Sequence, residues 1–172
     1  MDISHINPVL FQEFVCGLFQ AEGTCGAYFP KKDSLRVVFN FSIGQNYSKQ
    51  AAILFLTLQA FLCIGNIRVE YTSSGKVYIR YVITNTLDII KKAIPYFKYV
   101  YGQKRYVLFN LSKIYNIWIN IKNTTEKGKP EYLNQVSHLI HLVYSTNLHG
   151  NPRKISLQKN YLFLVVNILL QI

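Results

Sequence analysis

The sequence predicts an α+β fold: an αββαββα core in which a single antiparallel sheet carries helices on its apolar face, followed by extra C-terminal helices. Two observations carry that prediction. The chain passes twice from a capped helical segment to a pair of segments that alternate residue by residue, and each alternating pair separates an apolar face from a polar one. Length bounds it: 172 residues, half of them hydrophobic, suffice for a compact domain with a real core.

The first helix is expected over residues 8–21, with Asn7 as N-cap, Pro8 at the first helical position and Gly23 as the stop. "TCGAYFPKKDSLRVVFNFSIGQ" follows as a hairpin, because Leu35, Val37, Phe39, Phe41 and Ile43 alternate with Arg36, Val38, Asn40, Ser42 and Gly44. "SKQAAILFLTLQAFL" is a second helix, capped by Ser48 and ending near Gly65. A second hairpin, "GNIRVEYTSSGKVYIRYVIT", turns at Thr72, Ser73, Ser74 and Gly75. Its alternation puts Ile67, Val69, Val77 and Ile79 on one face, and Arg68, Glu70, Lys76, Tyr78 and Arg80 on the other. A third helix over "LDIIKKAIPYF" closes the core. Beyond it come a helix over residues 104–121, the polar linker "KNTTEKGKP" and a helix over "EYLNQVSHLIHLVYSTN". The expected organisation is a core over 1–125 and a helical extension over 126–172, with no internal repeat.

Charge points to the partner. Lys and Arg number 19 against 8 Asp and Glu, a formal charge of +11, which favours a polyanion such as nucleic acid or an anionic membrane surface. Cys16, Cys25 and Cys63 form no C-x-x-C pair, and their odd number argues against a disulfide framework. "MDISHINPVL" has neither the basic start and apolar run of a signal peptide nor an Arg-rich transit pattern. The apolar "YLFLVVNILL" is about half the length a helix needs to cross a bilayer, so no membrane partner is expected. Abundant Tyr, Phe, Ile, Asn and Lys, residues with A/T-rich codons, suggest an organellar genome, mitochondrial or chloroplast.

A sheet face bearing Arg36, Asn40, Ser42, Arg68, Glu70, Lys76, Tyr78 and Arg80 has the donors and acceptors to read base edges in a major groove. A solvated antiparallel face has the same alternation. Charge separates the two, because Glu70 is the sole acidic residue among those positions.

The stretch "VCGLFQAEG" holds the chemistry. Helical spacing puts Gly17 and Ala21, with Glu13 and Gln20 beside them, on a stripe apart from the bulky Phe14, Leu18 and Phe19. Small residues four apart let two helix backbones approach closely. Were the neighbour the same helix of a second copy, two Glu22 carboxylates would meet at the helix ends and favour a divalent cation with oxygen ligands, such as Mg²⁺. Taken by itself, the pattern favours a helix that happens to end in an acid before Gly23 over a metal site.

With its surroundings, this stretch resembles the conserved element of the LAGLIDADG homing endonucleases, with Gly17, Leu18, Ala21, Glu22 and Gly23 in matching places. The resemblance extends over roughly residues 10–120, through "FSIGQ", "GNI" and "YGQKRYVLF", in the order of the family's core. It implies a Mg²⁺-dependent endonuclease acting on double-stranded DNA. Since one motif is present, it also implies a homodimer, paired through Gly17, Gln20 and Ala21, that cuts a long, nearly palindromic site and promotes homing of its intron.

Position by position, the resemblance implies that Glu22 supplies the metal carboxylate, with Gly23 beside it at the metal site. It implies that Gln45 helps order active-site water, and that Lys104 and Lys49 are basic groups near the scissile phosphate. The implied DNA contacts are Tyr28, Lys32, Arg36, Asn40, Ser42, Arg68, Glu70, Lys76, Tyr78 and Arg80. Gln20 replaces the motif's first acid, and Glu22 stands where Asp is usual. The alternative function is an intron RNA maturase that keeps the fold and the basic surface without cleavage. His138 and His141 lack a third ligand and are read as an ordinary helix pair.

Overall fold

The computed structural model describes residues 4–30, 35–125, 127 and 129–147. Helix α1 spans Pro8–Glu22, and strands β1 (Gly23–Tyr28) and β2 (Val38–Asn46) follow. Helix α2 (Lys49–Leu62) precedes strands β3 (Asn66–Tyr71) and β4 (Val77–Ile83). Helix α3 consists of Thr86–Asp88, a π-helical turn over Ile89–Ala93 and a closing turn Ile94–Tyr96. Helices α4 (Gly102–Asn123) and α5 (Pro130–Asn147) complete the described chain. The expected α+β order of helix, two strands, helix, two strands and helix is present, followed by two more helices.

Local chemistry explains the boundaries. The Asn7 side chain accepts from the backbone N–H of Val9 at 3.0 Å and of Leu10 at 3.2 Å, satisfying donors that have no partner in the first turn. Ser48 does the same for Ala51 at 3.0 Å. Helix α2 ends where Cys63 turns left-handed, with φ 52°, and Gln59 Nε2 donates to the Gly65 carbonyl at 2.8 Å. The π turn of α3 lies just before Pro95, which has no N–H to continue an α-helical ladder.

The strands form one four-stranded sheet in the order β1-β2-β4-β3. Strand β4 pairs antiparallel with β2 (Ile43 opposite Tyr81, Gly44 opposite Arg80) and with β3 (Ile67 opposite Tyr81, Arg68 opposite Arg80). The turn between β3 and β4 is closed by Gly75 N–H on the Thr72 carbonyl and by Thr72 N–H on the Lys76 carbonyl, both at 2.9 Å, with Gly75 at φ 77°.

The chain forms two compact units. Of the described residues, the first takes in those within 1–25 and 39–108, the second those within 26–38 and 109–172. In the first, Phe19, Phe41 and Phe97 meet at the centre of the core. Phe19 lies parallel to Phe41 at 4.6 Å between centroids, and Phe97 is 4.9 and 4.8 Å from the two. Phe39, Ile43, Phe55, Leu58, Ile79, Tyr81 and Ile83 are buried with them. In the second unit Leu111, Ile114, Val136, Leu139, Ile140 and Val143 are buried.

Three expectations are corrected. Strand β2 begins at Val38, so Leu35, Arg36 and Val37 approach it rather than belong to it. Val69 lies on the face predicted for it, opposite Ile79, but is half exposed because β3 is an edge strand. Phe14, expected apart from the stripe of Gly17 and Ala21 on α1, is 58% exposed and lies with that stripe. Phe14, Gly17 and Ala21 follow one another at helical spacing on the exposed side, while Val15, Cys16 and Phe19 fill the core. The apolar stretch "YLFLVVNILL" and Lys32 lie outside the described residues.

Candidate active site and nucleic-acid face

The last turn of α1 is built around two residues. A Cβ placed on Gly23 would lie 2.0 Å from a Phe19 ring carbon and 2.5 Å from the Phe19 carbonyl oxygen, so only glycine fits where the helix becomes strand β1. Gly23 N–H closes the helix on that same carbonyl. Glu22, the final helical residue, is exposed beside it.

Lys104 reaches this turn from the start of α4. Its Nζ donates to the carbonyls of Phe19 at 2.8 Å and Gln20 at 2.7 Å and sits 5.5 Å from the centre of the Phe19 ring. A cation at a helix C-terminus meets the negative end of the macrodipole and caps carbonyls that have no helical donor. Burial lowers the Lys104 pKa, while Cys25 and then Glu22 raise it. An ammonium has three donors, so one remains for an anion. Cys25 is pushed up to about 12 by burial, against the opposing charge of Lys104, and is a neutral thiol at physiological pH.

The other expected groups fall around this turn unevenly. Gln20, expected on the stripe with Gly17 and Ala21, is instead half-buried with its Oε1 accepting from the Tyr101 N–H at 3.2 Å. Gln45, opposite Ile79, lies on the helix-covered face at the end of β2, and Lys49 is the exposed first residue of α2. Among the described residues, no hydrogen bond joins either of them to Glu22 or Lys104.

Oxygen from Glu22 is the right donor class for a hard divalent cation, and its exposure leaves room for metal-bound water. Yet among the described residues no group of three or more His, Cys, Asp or Glu could hold a metal ion. Among the described residues, Glu22 is the carboxylate that the end of α1 presents. A Cβ on Gly17 would meet nothing within 4 Å, and Phe14 and Leu10 are exposed on the same side of α1.

In the first unit, the sheet face away from the core carries Asn40 and Ser42 of β2, Arg68 and Glu70 of β3, and Tyr78 and Arg80 of β4. Lys76 is exposed in the turn before β4. The register adds Asn46, opposite Tyr78, and Asn66, opposite Val82, both exposed on that face. Each strand's alternation, carried one step further, would have found them. Tyr28, at the end of β1, and Arg36 are exposed. No helix of the described residues is long and apolar enough to cross a membrane.

The model of the family described as LAGLIDADG endonuclease matches residues 15–116. The archaeal intron-encoded homing endonuclease I-Vdi141I, complexed with DNA, has a TM-score of 0.70 at 21% identity, over 95% of this chain and 99% of that one. I-CvuI, in complex with its target in the presence of 2 mM Ca, has a TM-score of 0.64 at 17% identity, over 93% and 96%. I-SmaMI bound to cleaved DNA matches at a TM-score of 0.58 and 25% identity, over 83% of this chain but 44% of that one. No curated protein sequence matches the chain.

Proposed function

Because the chain belongs to the LAGLIDADG endonuclease family, we propose that it is a homing endonuclease that hydrolyses double-stranded DNA at a long, nearly two-fold site as a homodimer with Mg²⁺. The observation that carries this reading is the end of α1: an exposed Glu22 beside Gly23, on a turn whose carbonyls are capped by Lys104.

Two copies are needed for the metal chemistry. Among the described residues no cluster of three ligands stands ready for a divalent cation, and a second chain would add a second Glu22. The exposed stripe of Phe14, Gly17 and Ala21 supports pairing through α1. Glu22 from each copy would hold the ion, with Gly23 keeping the turn tight. Bound there, Mg²⁺ supplies Lewis-acid stabilisation of the phosphodiester oxygens.

The chain's own groups do the rest. Lys104 fixes the α1 terminus and keeps one donor for phosphate, Gln45 and Lys49 order water and backbone nearby, and the open sheet face reads the major groove. The composition supports an organellar setting in which cleavage promotes homing of the encoding intron.

The test is a cleavage selection on a randomised, partly palindromic duplex library with Mg²⁺, run beside Glu22→Gln and an EDTA control. Enrichment of one two-fold site by the native protein alone is expected. A soluble dimer that binds intron RNA and leaves DNA intact would overturn the nuclease reading.

A further inference from the structure

The centre of the polar sheet face is more ordered than a solvated face requires. Arg80 lies in the middle of β4, an interior strand, with Gly44 directly opposite on β2 and Arg68 directly opposite on β3. Two arginines facing each other across a pair of strands repel. Glu70, diagonal to Arg80, draws one of them away: its carboxylate is 3.5 Å from Arg80 Nη2. Among the described residues Arg68 has no ion-pair partner.

The other side is held by packing. A Cβ on Gly44 would lie 2.4 Å from Tyr78 Cε1, so the tyrosine ring lies across the sheet in the space that a side chain at position 44 would fill. The Arg80 guanidinium carbon is 5.9 Å from that ring's centre, at the outer range of a cation–π contact. Arg80 is thus braced by a carboxylate on one strand and an aromatic ring on its own, and a glycine on the third makes room for the ring.

We propose that this cluster is a built guanine reader. Arg80 donates to O6 and N7 of one guanine in each half-site, Glu70 is the positioning residue that fixes its guanidinium, and Tyr78 over Gly44 is the platform. The inference rests on the DNA-binding reading above and assigns one base to one residue of that face. Guanine is the base that presents two acceptors side by side in the major groove, matching the planar donor pair of a guanidinium. One Glu70 contact at Nη2 leaves the other guanidinium donors available. Arg68, without a brace, would serve a phosphate, where a floppy cation suffices.

The experiment profiles base preference at every position of the selected site for native protein, Arg80→Ala, Glu70→Gln and Gly44→Ala. Native protein should show one strongly preferred guanine per half-site. Arg80→Ala should reduce that preference by about tenfold or more and leave other positions unchanged. Glu70→Gln should relax the same position by about two- to fivefold, the range expected for losing a half-exposed ion pair. Because it also removes a negative charge facing DNA, it should tighten binding to all sequences. A residue that merely stabilised the sheet would instead weaken every position together. Gly44→Ala, which displaces the Tyr78 ring, should mimic Glu70→Gln at that one position.

An Arg80→Ala profile identical to native, or a Glu70→Gln change spread evenly over the site, would overturn this inference while leaving the endonuclease reading intact. A native protein that enriches no DNA site would overturn both.

Discussion

Lys104 Nζ lies 2.7 Å from the backbone carbonyl of Gln20, at the turn where α1 ends in Glu22. A side chain from α4 therefore closes the helix that carries the proposed metal carboxylate, and a second bond to the Phe19 carbonyl fixes its position. Helix capping and the proposed chemistry would share one ammonium group.

Lys104→Met keeps much of the aliphatic stem and removes both donors. Hydrogen bonds from a charged group contribute about 1.5–3 kcal/mol, so urea unfolding should show a loss of that order. Cleavage should fall further than stability accounts for, since the third donor is lost as well. Unchanged unfolding midpoints would show that the cap contributes nothing.

Gly23 and Gly17 belong to the same motif but should respond to alanine in opposite ways. At Gly23 the new methyl meets Phe19 ring and backbone at 2.0 and 2.5 Å, so Gly23→Ala should cost about 1–3 kcal/mol by overpacking. At Gly17 the methyl meets nothing within 4 Å, and alanine favours a helix by about 1 kcal/mol. Gly17→Ala should stabilise the separate chain and loosen the dimer, as read by sedimentation over a dilution series. A dimer as tight as native would exclude close backbone contact at Gly17.

Tyr81 tests the sheet's anchoring. Its buried hydroxyl donates to the Ile64 carbonyl at 2.8 Å, and its ring occupies the space beside Gly65, which turns at φ 79°. Tyr81→Phe leaves that carbonyl without this donor and should cost about 1–3 kcal/mol in thermal or urea unfolding. An unchanged midpoint would mean that water or another donor takes over.

Much of this was legible because strand alternation survives tertiary context. Asn40, Ser42, Arg68, Glu70, Tyr78 and Arg80 share the face that a two-residue period assigns them, with the apolar partners Phe39, Phe41, Ile43 and Ile79 buried opposite. Helix α1 was harder to read, since Val9, Leu10, Phe11, Phe14, Val15, Leu18 and Phe19 surround it and no single stripe stands out as the core face. Residue size therefore grouped Phe14 with Leu18 and Phe19, although it shares the exposed side with Gly17 and Ala21. Contacts between segments distant in the chain, such as Gln20 with Tyr101 or Tyr78 over Gly44, have no sequence signal, because they depend on which backbones the fold brings close. Lys104 could be placed at the site by resemblance, but its capping of α1 could not.

The cysteines give a pH signature whose sign follows from burial. Cys25 has an ordinary thiol pKa of 9.0 when unfolded and about 12 in the folded chain, chiefly because burial disfavours the thiolate. Between those values the folded chain keeps a proton that the unfolded chain has released, so raising the pH favours unfolding. This contribution is fully present below about pH 9 and is lost as pH rises through about 12. Lys104 acts in the opposite sense, because its lowered pKa makes stability rise with pH in a window below 10.5. Comparing native protein with Cys25→Ala isolates the thiol: the variant should lose less stability between pH 9 and 11. Thiol reagents give an independent check. Cys63 is exposed and should react at once, Cys25, half-buried and with its pKa raised, should react more slowly, and Cys16, buried and with its pKa raised chiefly by burial, should react only as the chain opens. Modification of Cys25 as fast as that of Cys63 in native protein, or parallel alkaline curves for the two proteins, would rule out the half-buried neutral thiol beside Lys104.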